Sequence, residues 1–268
     1  MIYLGALGRL VPIRCASSQQ VGHGDRYSTL ETLEGRVKAQ VRPVRRREWS
    51  VGFGDLTSAE DASKLLEFVE GAWGSGPFRF VPTEAPTTNM CTPAQSVLHP
   101  SAGTETGYGA RFGGPMLTED GWIPSSIVNP DPSRLVYVGV NFIPVMPGTT
   151  ITVAAYVLGI DASTQVYFFD NAGGQVGNFE SARIGTADAA VRAAVTVEVP
   201  EGAATARIYA RRSVQVGRPS LTWTDEVMPW ITGRGCEKAI LRDVSESLVY
   251  VKSDKTYESM AFTVTEVG

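Results

Sequence analysis

The chain has 268 residues, 43% of them hydrophobic and 19% charged, with a net charge of −4. That length suits one large or two ordinary domains, and the acidic balance argues against a general nucleic-acid binder. No run approaches roughly 18 apolar residues, so no membrane insertion is expected, and Met1–Arg9 lacks the basic start of a secretory signal.

Most of the chain reads as strands. In Arg36–Arg42, Val37, Ala39 and Val41 alternate with polar residues, the period of a half-buried strand. Trp49, Val51 and Phe53 continue that period. A helix at about 58–73 follows, since Ala62, Leu65, Leu66, Val69, Ala72 and Trp73 recur at spacings of three and four. Thr57–Glu60 fits a capping box, and Gly74, Gly76 and Pro77 stop the helix. Alternation returns in Thr150–Val157, after the turn pair Pro147-Gly148, and in Val191–Val199. Turn residues separate the strands at Asp170–Gly174 and Pro200–Gly202. Ala206, Ile208 and Ala210 then share one strand face, with Arg207, Tyr209 and Arg211 opposite. Met260, Phe262 and Val264 alternate near the end.

Composition changes along the chain. All five lysines lie outside residues 98–225, where every Lys/Arg cation is an arginine. The strands and turns of that stretch suggest a β-sandwich.

A search for chemistry finds little. His23 and His99 sit in no ligand-spaced cluster, and there is no nucleophile elbow, Walker loop or dinucleotide fingerprint. Cys15, Cys91 and Cys236 are far apart and form no C-x-x-C pair, so buried free thiols are expected rather than zinc or redox chemistry. Glu119-Asp120 and Asp225-Glu226 are adjacent pairs, and strand neighbours point to opposite faces, so neither pair alone can flank a glycosidic bond. The expectation is a protein that is not an enzyme, with no catalytic residue, cofactor or metal. Arg45-Arg46-Arg47 beside Trp49 fits either a solvated strand edge or a subunit interface. Trp122, Tyr137, Tyr167, Tyr209 and Trp223 could each stack on a sugar or serve the core; Tyr209 stands out because it shares a face with Arg207 and Arg211.

Three segments carry a resemblance. They are GSGPFRFVP at Gly74–Pro82, NMCTP at Asn89–Pro93 and the closing YESMAFTVTEVG at Tyr257–Gly268. Together they resemble minor tail proteins of long-tailed bacteriophages, in particular the distal tail protein family. The middle is similar to jelly-roll carbohydrate-binding modules, on Val145–Val157 and on Val197–Ala203 followed by Ala206–Tyr209. It departs from them at Gly217–Thr224, where those modules often close with an aspartate-rich strand.

The resemblance implies a mainly β protein with two parts. Residues 1–97 and 226–268 would form a discontinuous β-sandwich or split-barrel assembly domain with one α-helix. Residues 98–225 would form an inserted jelly-roll sandwich displayed outward. Such a chain would be a structural component of a tail tip or baseplate, a homo-oligomeric ring, hexameric in its family's usual manner, between a tail tube protein and a tail-tip hub protein. Arg45, Arg46, Arg47 and Trp49 are the candidate ring interface. The rival function is an adhesin for a host cell-surface glycan, with Trp122, Tyr137, Tyr167, Arg207, Tyr209 and Trp223 as candidate contacts; a cell-wall hydrolase is a weaker third. The expected location is the virion tail tip, after synthesis in the host cytoplasm without a signal peptide.

Overall fold

The structure is a computed structural model. It describes residues 1–14, 16–24, 27–41, 46–100, 109–138, 142–185, 188–252 and 255–267. Cys15 and Arg45 lie outside these residues, and so does the Thr57 side chain of the expected capping box. The fold is mainly β. The chain divides into two compact units, one made of Met1–Gly5, Val11–Thr83 and Cys236–Gly268, the other of Ala6–Leu10 and Glu84–Gly235.

In the first unit the elements run β1 (Ile2–Ala6), β2 (Arg9–Ile13), β3 (Ala16–His23), β4 (Tyr27–Glu31), β5 (Val37–Val41), β6 (Arg47–Ser58), α1 (Ala59–Val69) and β7 (Phe78–Val81). The second unit contributes α2 (Ala85–Thr88), α3 (Pro93–Ser96), β8 (Arg111–Gly113), β9 (Met116–Thr118), β10 (Gly121–Ile123), β11 (Ser126–Val128), β12 (Val136–Tyr137), β13 (Ile143–Pro144), β14 (Thr150–Leu158), β15 (Ser163–Phe169), β16 (Gln175–Glu180), β17 (Val191–Glu198), β18 (Thr205–Arg211) and β19 (Gln215–Thr222). The chain then returns to the first unit with β20 (Cys236–Lys252) and β21 (Lys255–Glu266).

A seven-stranded sheet dominates the first unit, in the order β2-β1-β7-β20-β21-β6-β3. The alternation read from the sequence sets its register. Met260, Phe262 and Val264 of β21 lie opposite Phe53, Val51 and Trp49 of β6, and all six are buried. Trp49 meets Phe80 edge-on with ring centroids 5.1 Å apart, and Phe53 stacks on Phe262 at 5.7 Å.

Helix α1 lies on this core through Ala62, Leu65 and Phe68, with Leu66 at the margin. This is a rotated version of the expected stripe. The helix ends at Val69, not near 73, because Gly71 takes a left-handed φ of +79° that a side chain would disfavour. Val69 is therefore exposed, and Trp73 lies beyond the helix, stacked on Phe68 at 5.2 Å with its indole N–H donating to Glu67. Glu60 and Asp61 in the first turn oppose the helix dipole.

Within the expected strand at 36–42, Val37–Val41 is a strand, but Val37 and Ala39 are exposed rather than half-buried. β5 pairs only with β4, in a two-stranded sheet of its own, leaving Leu30, Leu33 and Val37 exposed. A period of two predicts a strand and an apolar face; it does not supply a layer to cover that face.

The second unit is a sandwich of two five-stranded sheets. One runs β17-β14-β19-β11-β8, and the other β12-β18-β15-β16 with β13 also on β18. β14 packs across on β15 and β18. Ile151, Val153 and Val157 meet an inner layer that includes Val166, Phe168, Ala206 and Ile208, all buried. The turns fall where the sequence placed them. The Asp170 carboxylate accepts from the backbone N–H of Ala172 and Gly174, at 2.8 and 2.7 Å.

The start and end of this unit are tied together. Asn89 is fully buried: its amide nitrogen donates to the carbonyls of Pro219 and Ile231, and its oxygen accepts from the N–H of Cys91 and Leu221. Residues 89–92 and 231–235 run so close that a Cβ on Gly233 or Gly235 would sit about 2 Å from a carbonyl oxygen of Cys91 or Met90. The division accordingly falls after Thr83 and Gly235, rather than after 97 and 225.

Two outcomes follow. Leu65→Ala should cost about 2–5 kcal/mol in chemical denaturation, whereas Val69→Ala should cost about 0.5 kcal/mol or less, since only the first leaves a core cavity. An excised 84–235 fragment should unfold cooperatively by calorimetry. A 98–225 fragment should be far less stable, because without Asn89 it leaves buried backbone groups unpaired, each worth about 1–3 kcal/mol.

Candidate glycan-binding face

The outward face of the β12-β18-β15-β16 sheet gathers aromatic and polar side chains. On β18 the inward Ala206, Ile208 and Ala210 alternate with Arg207, Tyr209 and Arg211, so strand geometry places those three together on the other face. Tyr137 of β12 lies directly opposite Tyr209, and Gln165 of β15 lies opposite it on the other side. Tyr167, one step diagonally along β15, closes the row. Ring centroids are 4.9 Å apart for Tyr137–Tyr209 and 4.5 Å for Tyr167–Tyr209, both tilted. Tyr209 is buried between its half-exposed neighbours. Burial pushes its phenol above the ordinary value of 10, against the pull of the Arg207 guanidinium.

Polar groups beside the row are fixed by one carboxylate. Glu180 of β16 accepts from Ser163 Oγ at 2.7 Å, Gln165 Nε2 at 2.8 Å and Arg211 Nη1 at 3.2 Å, with Arg183 Nε at 3.6 Å. Tyr167 donates its hydroxyl to Gln165 Oε1 at 3.3 Å. Arg207 is held from the other side, its guanidinium 3.8 Å above the Phe142 ring and 5.2 Å from Phe169. Desolvation raises the Glu180 pKa, but the hydrogen bonds from Ser163 and Gln165 and the Arg211 charge outweigh it, so the carboxyl lies below the ordinary 4.5. The result is a semi-rigid plate with two accessible tyrosine rings and donors around them. A sugar's C–H face can stack on such rings while its hydroxyls reach the flanking polar groups.

Of the six residues proposed from sequence for sugar contact, Tyr137, Tyr167, Arg207 and Tyr209 meet on this face. Trp122 and Trp223 do not. Trp122 is exposed on the separate β9-β10 hairpin, opposite Leu117, and that hairpin packs through Met116 and Ile123 onto Tyr156 of the other sheet. Trp223 follows β19, also of the other sheet, and its backbone N–H donates to the Pro86 carbonyl. Gln165, Glu180, Ser163, Phe142 and Phe169 were not singled out. The outward period of β15, Ser163-Gln165-Tyr167-Phe169, carried the signal for three of them.

Of the four residues read as a ring interface, Arg47 and Trp49 need correction. Arg46 is exposed, and Arg45 is not among the described residues. Arg47 and Trp49 face inward, 3% and 1% exposed. Arg47 donates from Nε and Nη2 to the two Glu266 oxygens, at 2.9 and 2.8 Å, and stacks 4.8 Å from the Trp49 ring. A basic run at a strand start hides which of its members alternates into the core. Among the described residues no group of three or more His, Cys, Asp or Glu could hold a metal ion, and no helix is long and apolar enough to cross a membrane.

No protein-family model matches the chain, and no curated protein matches it. Solved structures that are similar to it include the following three. The enzymatically active domain of tailspike protein 4 of bacteriophage CBA120 is 14% identical, with a TM-score of 0.34, over 42% of this chain and 17% of that one. The CBM22-1–GH10 modules of Clostridium thermocellum xylanase 10B, solved with xylohexaose, are 11% identical, with a TM-score of 0.31, over 42% of this chain and 24% of that one. The Dit protein of phage SPP1, described as a paradigm of the hub adsorption apparatus in phages infecting Gram-positive bacteria, is 11% identical, with a TM-score of 0.17, over 99% of this chain and 98% of that one. Two of the three are thus phage tail proteins, and the third contains a carbohydrate-binding module.

The Glu180 shift has a signed consequence. Its folded pKa is depressed, so its stabilisation is complete above the ordinary glutamate value and is lost as pH falls through the lower folded value. Melting curves against pH should therefore show an acid-side decline below about 4.5 that Glu180→Gln flattens.

Proposed function

We propose that the chain is a structural component of a phage tail tip, assembling as a ring between tail tube and hub and doing no chemistry of its own. The observation that carries this reading is the first unit. Its sheet is built from both ends of the sequence, the segments that resemble distal tail proteins, and leaves β2 and β3 as edge strands. Unpaired edges are ready templates for a neighbouring chain, and a ring needs such heterologous, closing contacts. The exposed β4-β5 hairpin, with Leu30, Leu33 and Val37 uncovered, offers further apolar area to a neighbour. This hairpin takes the place of Arg47 and Trp49 in the interface.

The test combines imaging and mass. A labelled chain should appear at the tail tip by electron microscopy of whole particles; label on the capsid or the tail shaft would refute the reading. Replacing 28–40 by a short Gly-Ser linker should abolish a ring seen by native mass measurement while leaving thermal unfolding of the monomer nearly unchanged.

A second reading is compatible with the first. The tyrosine face favours binding of a host-surface glycan, with Tyr137 and Tyr167 as stacking platforms. Tyr137→Ala together with Tyr167→Ala should abolish glycan retention without loss of fold.

A further inference from the structure

We propose that the tyrosine face selects an acidic polysaccharide, one bearing uronate carboxylates, over neutral chains; this rests on the glycan reading of the same face. The argument is an inventory of donors and acceptors. A neutral sugar hydroxyl both donates and accepts, so sites for neutral chains need free acceptors beside the stacking rings. Here the carboxylate and amide acceptors are largely spent, which leaves mainly the tyrosine hydroxyl oxygens to accept from a sugar. Glu180 accepts from Ser163, Gln165 and Arg211, which with Arg183 alongside uses most of the roughly four lone-pair sites of a carboxylate. The Gln165 oxygen is turned toward the Tyr167 hydroxyl.

Donors are in surplus. Arg183, Arg207 and Arg211 surround the row, and each guanidinium carries five N–H groups. Arg211 gives one of its nitrogens to Glu180, and its side chain stays 42% exposed, that of Arg183 51%. The Phe142 and Phe169 rings hold the Arg207 guanidinium in place, so less freedom is lost when it binds. Three arginines around one carboxylate are not the background of this unit. Residues 84–235 hold nine arginines and thirteen carboxylates. The positive charge is concentrated where the rings are exposed. A planar carboxylate, which accepts only, matches both the fork of a guanidinium and the way Glu180 is already held.

The experiment uses the full chain in affinity electrophoresis and calorimetry. The probes are polygalacturonate, alginate and hyaluronan, and the same polymers after their carboxyl groups have been reduced to primary alcohols. At least one acidic polymer should bind about tenfold or more tighter than its reduced form, the loss expected for one charge-assisted hydrogen bond. That binding should weaken as salt rises. Arg211→Gln, with unchanged near-ultraviolet circular dichroism, should lose a similar factor for the acidic polymer and little for any neutral one. Equal binding of acidic and reduced forms would overturn the charge selection and leave the glycan reading standing. Failure of every acidic, reduced and neutral chain, xylohexaose included, would overturn both. Preferential binding of polyglycerol phosphate would overturn the choice of carboxylate.

Discussion

Two strands from the far end of the chain hold the first unit together. β20 and β21 sit in the middle of its seven-stranded sheet, between β7 and β6, so the N-terminal strands have no continuous sheet until residues 236–266 arrive. Arg47 and Glu266 clamp the last of these pairings. Burying that pair is costly unless its geometry is good and its remaining donors are used. Here two guanidinium nitrogens and the Arg47 backbone N–H all reach the one carboxylate. A one-residue slip of β21 would break the clamp and turn Met260, Phe262 and Val264 away from the core. Nearby, burial pushes the Cys236 thiol up to about 12, with the Glu266 charge adding to the effect, so it packs as an inert protonated side chain.

The second unit solves a different problem, which is how a chain can leave and return at one place. Asn89 binds four backbone groups from three segments, and the glycines at 233 and 235 allow the outgoing strap to touch the incoming one. Away from this junction, the β9-β10 hairpin is pinned by a polar contact in an apolar setting. The Tyr156 hydroxyl donates to Asp120, and burial together with that bond raises its pKa to about 12. Arg192, 5.9 Å from the Tyr156 ring, donates to the Met228 carbonyl and ties down the segment after β19.

The two units present surfaces of different character. On the tyrosine face Glu180 braces Ser163, Gln165 and Arg211, and the Phe142 and Phe169 rings hold Arg207, so the surface is prearranged. The β4-β5 hairpin is the opposite case. A two-stranded sheet with uncovered apolar residues is marginal by itself.

The sequence by itself determined the periodic features. Alternation located β6, β14, β17, β18 and β21, turn residues placed Asp170–Gly174 and Pro200–Gly202, and helical spacing located α1. The row Arg207-Tyr209-Arg211 was legible because adjacent strand residues must face opposite ways. Only the tertiary structure decided which faces are covered. Val37 and Trp49 sit in similar alternating runs, yet one is exposed and the other is in the core, because only β6 joins the large sheet. The helix end moved to Gly71 because several nearby glycines could each have stopped it. The inward turn of Arg47 carries no local signal because its partner, Glu266, lies 219 residues away. The tyrosine face came together in the same way: Tyr137, Gln165, Glu180 and Tyr209 lie on four strands, and pairing across a sheet brings together residues whose separation along the chain carries no local signal.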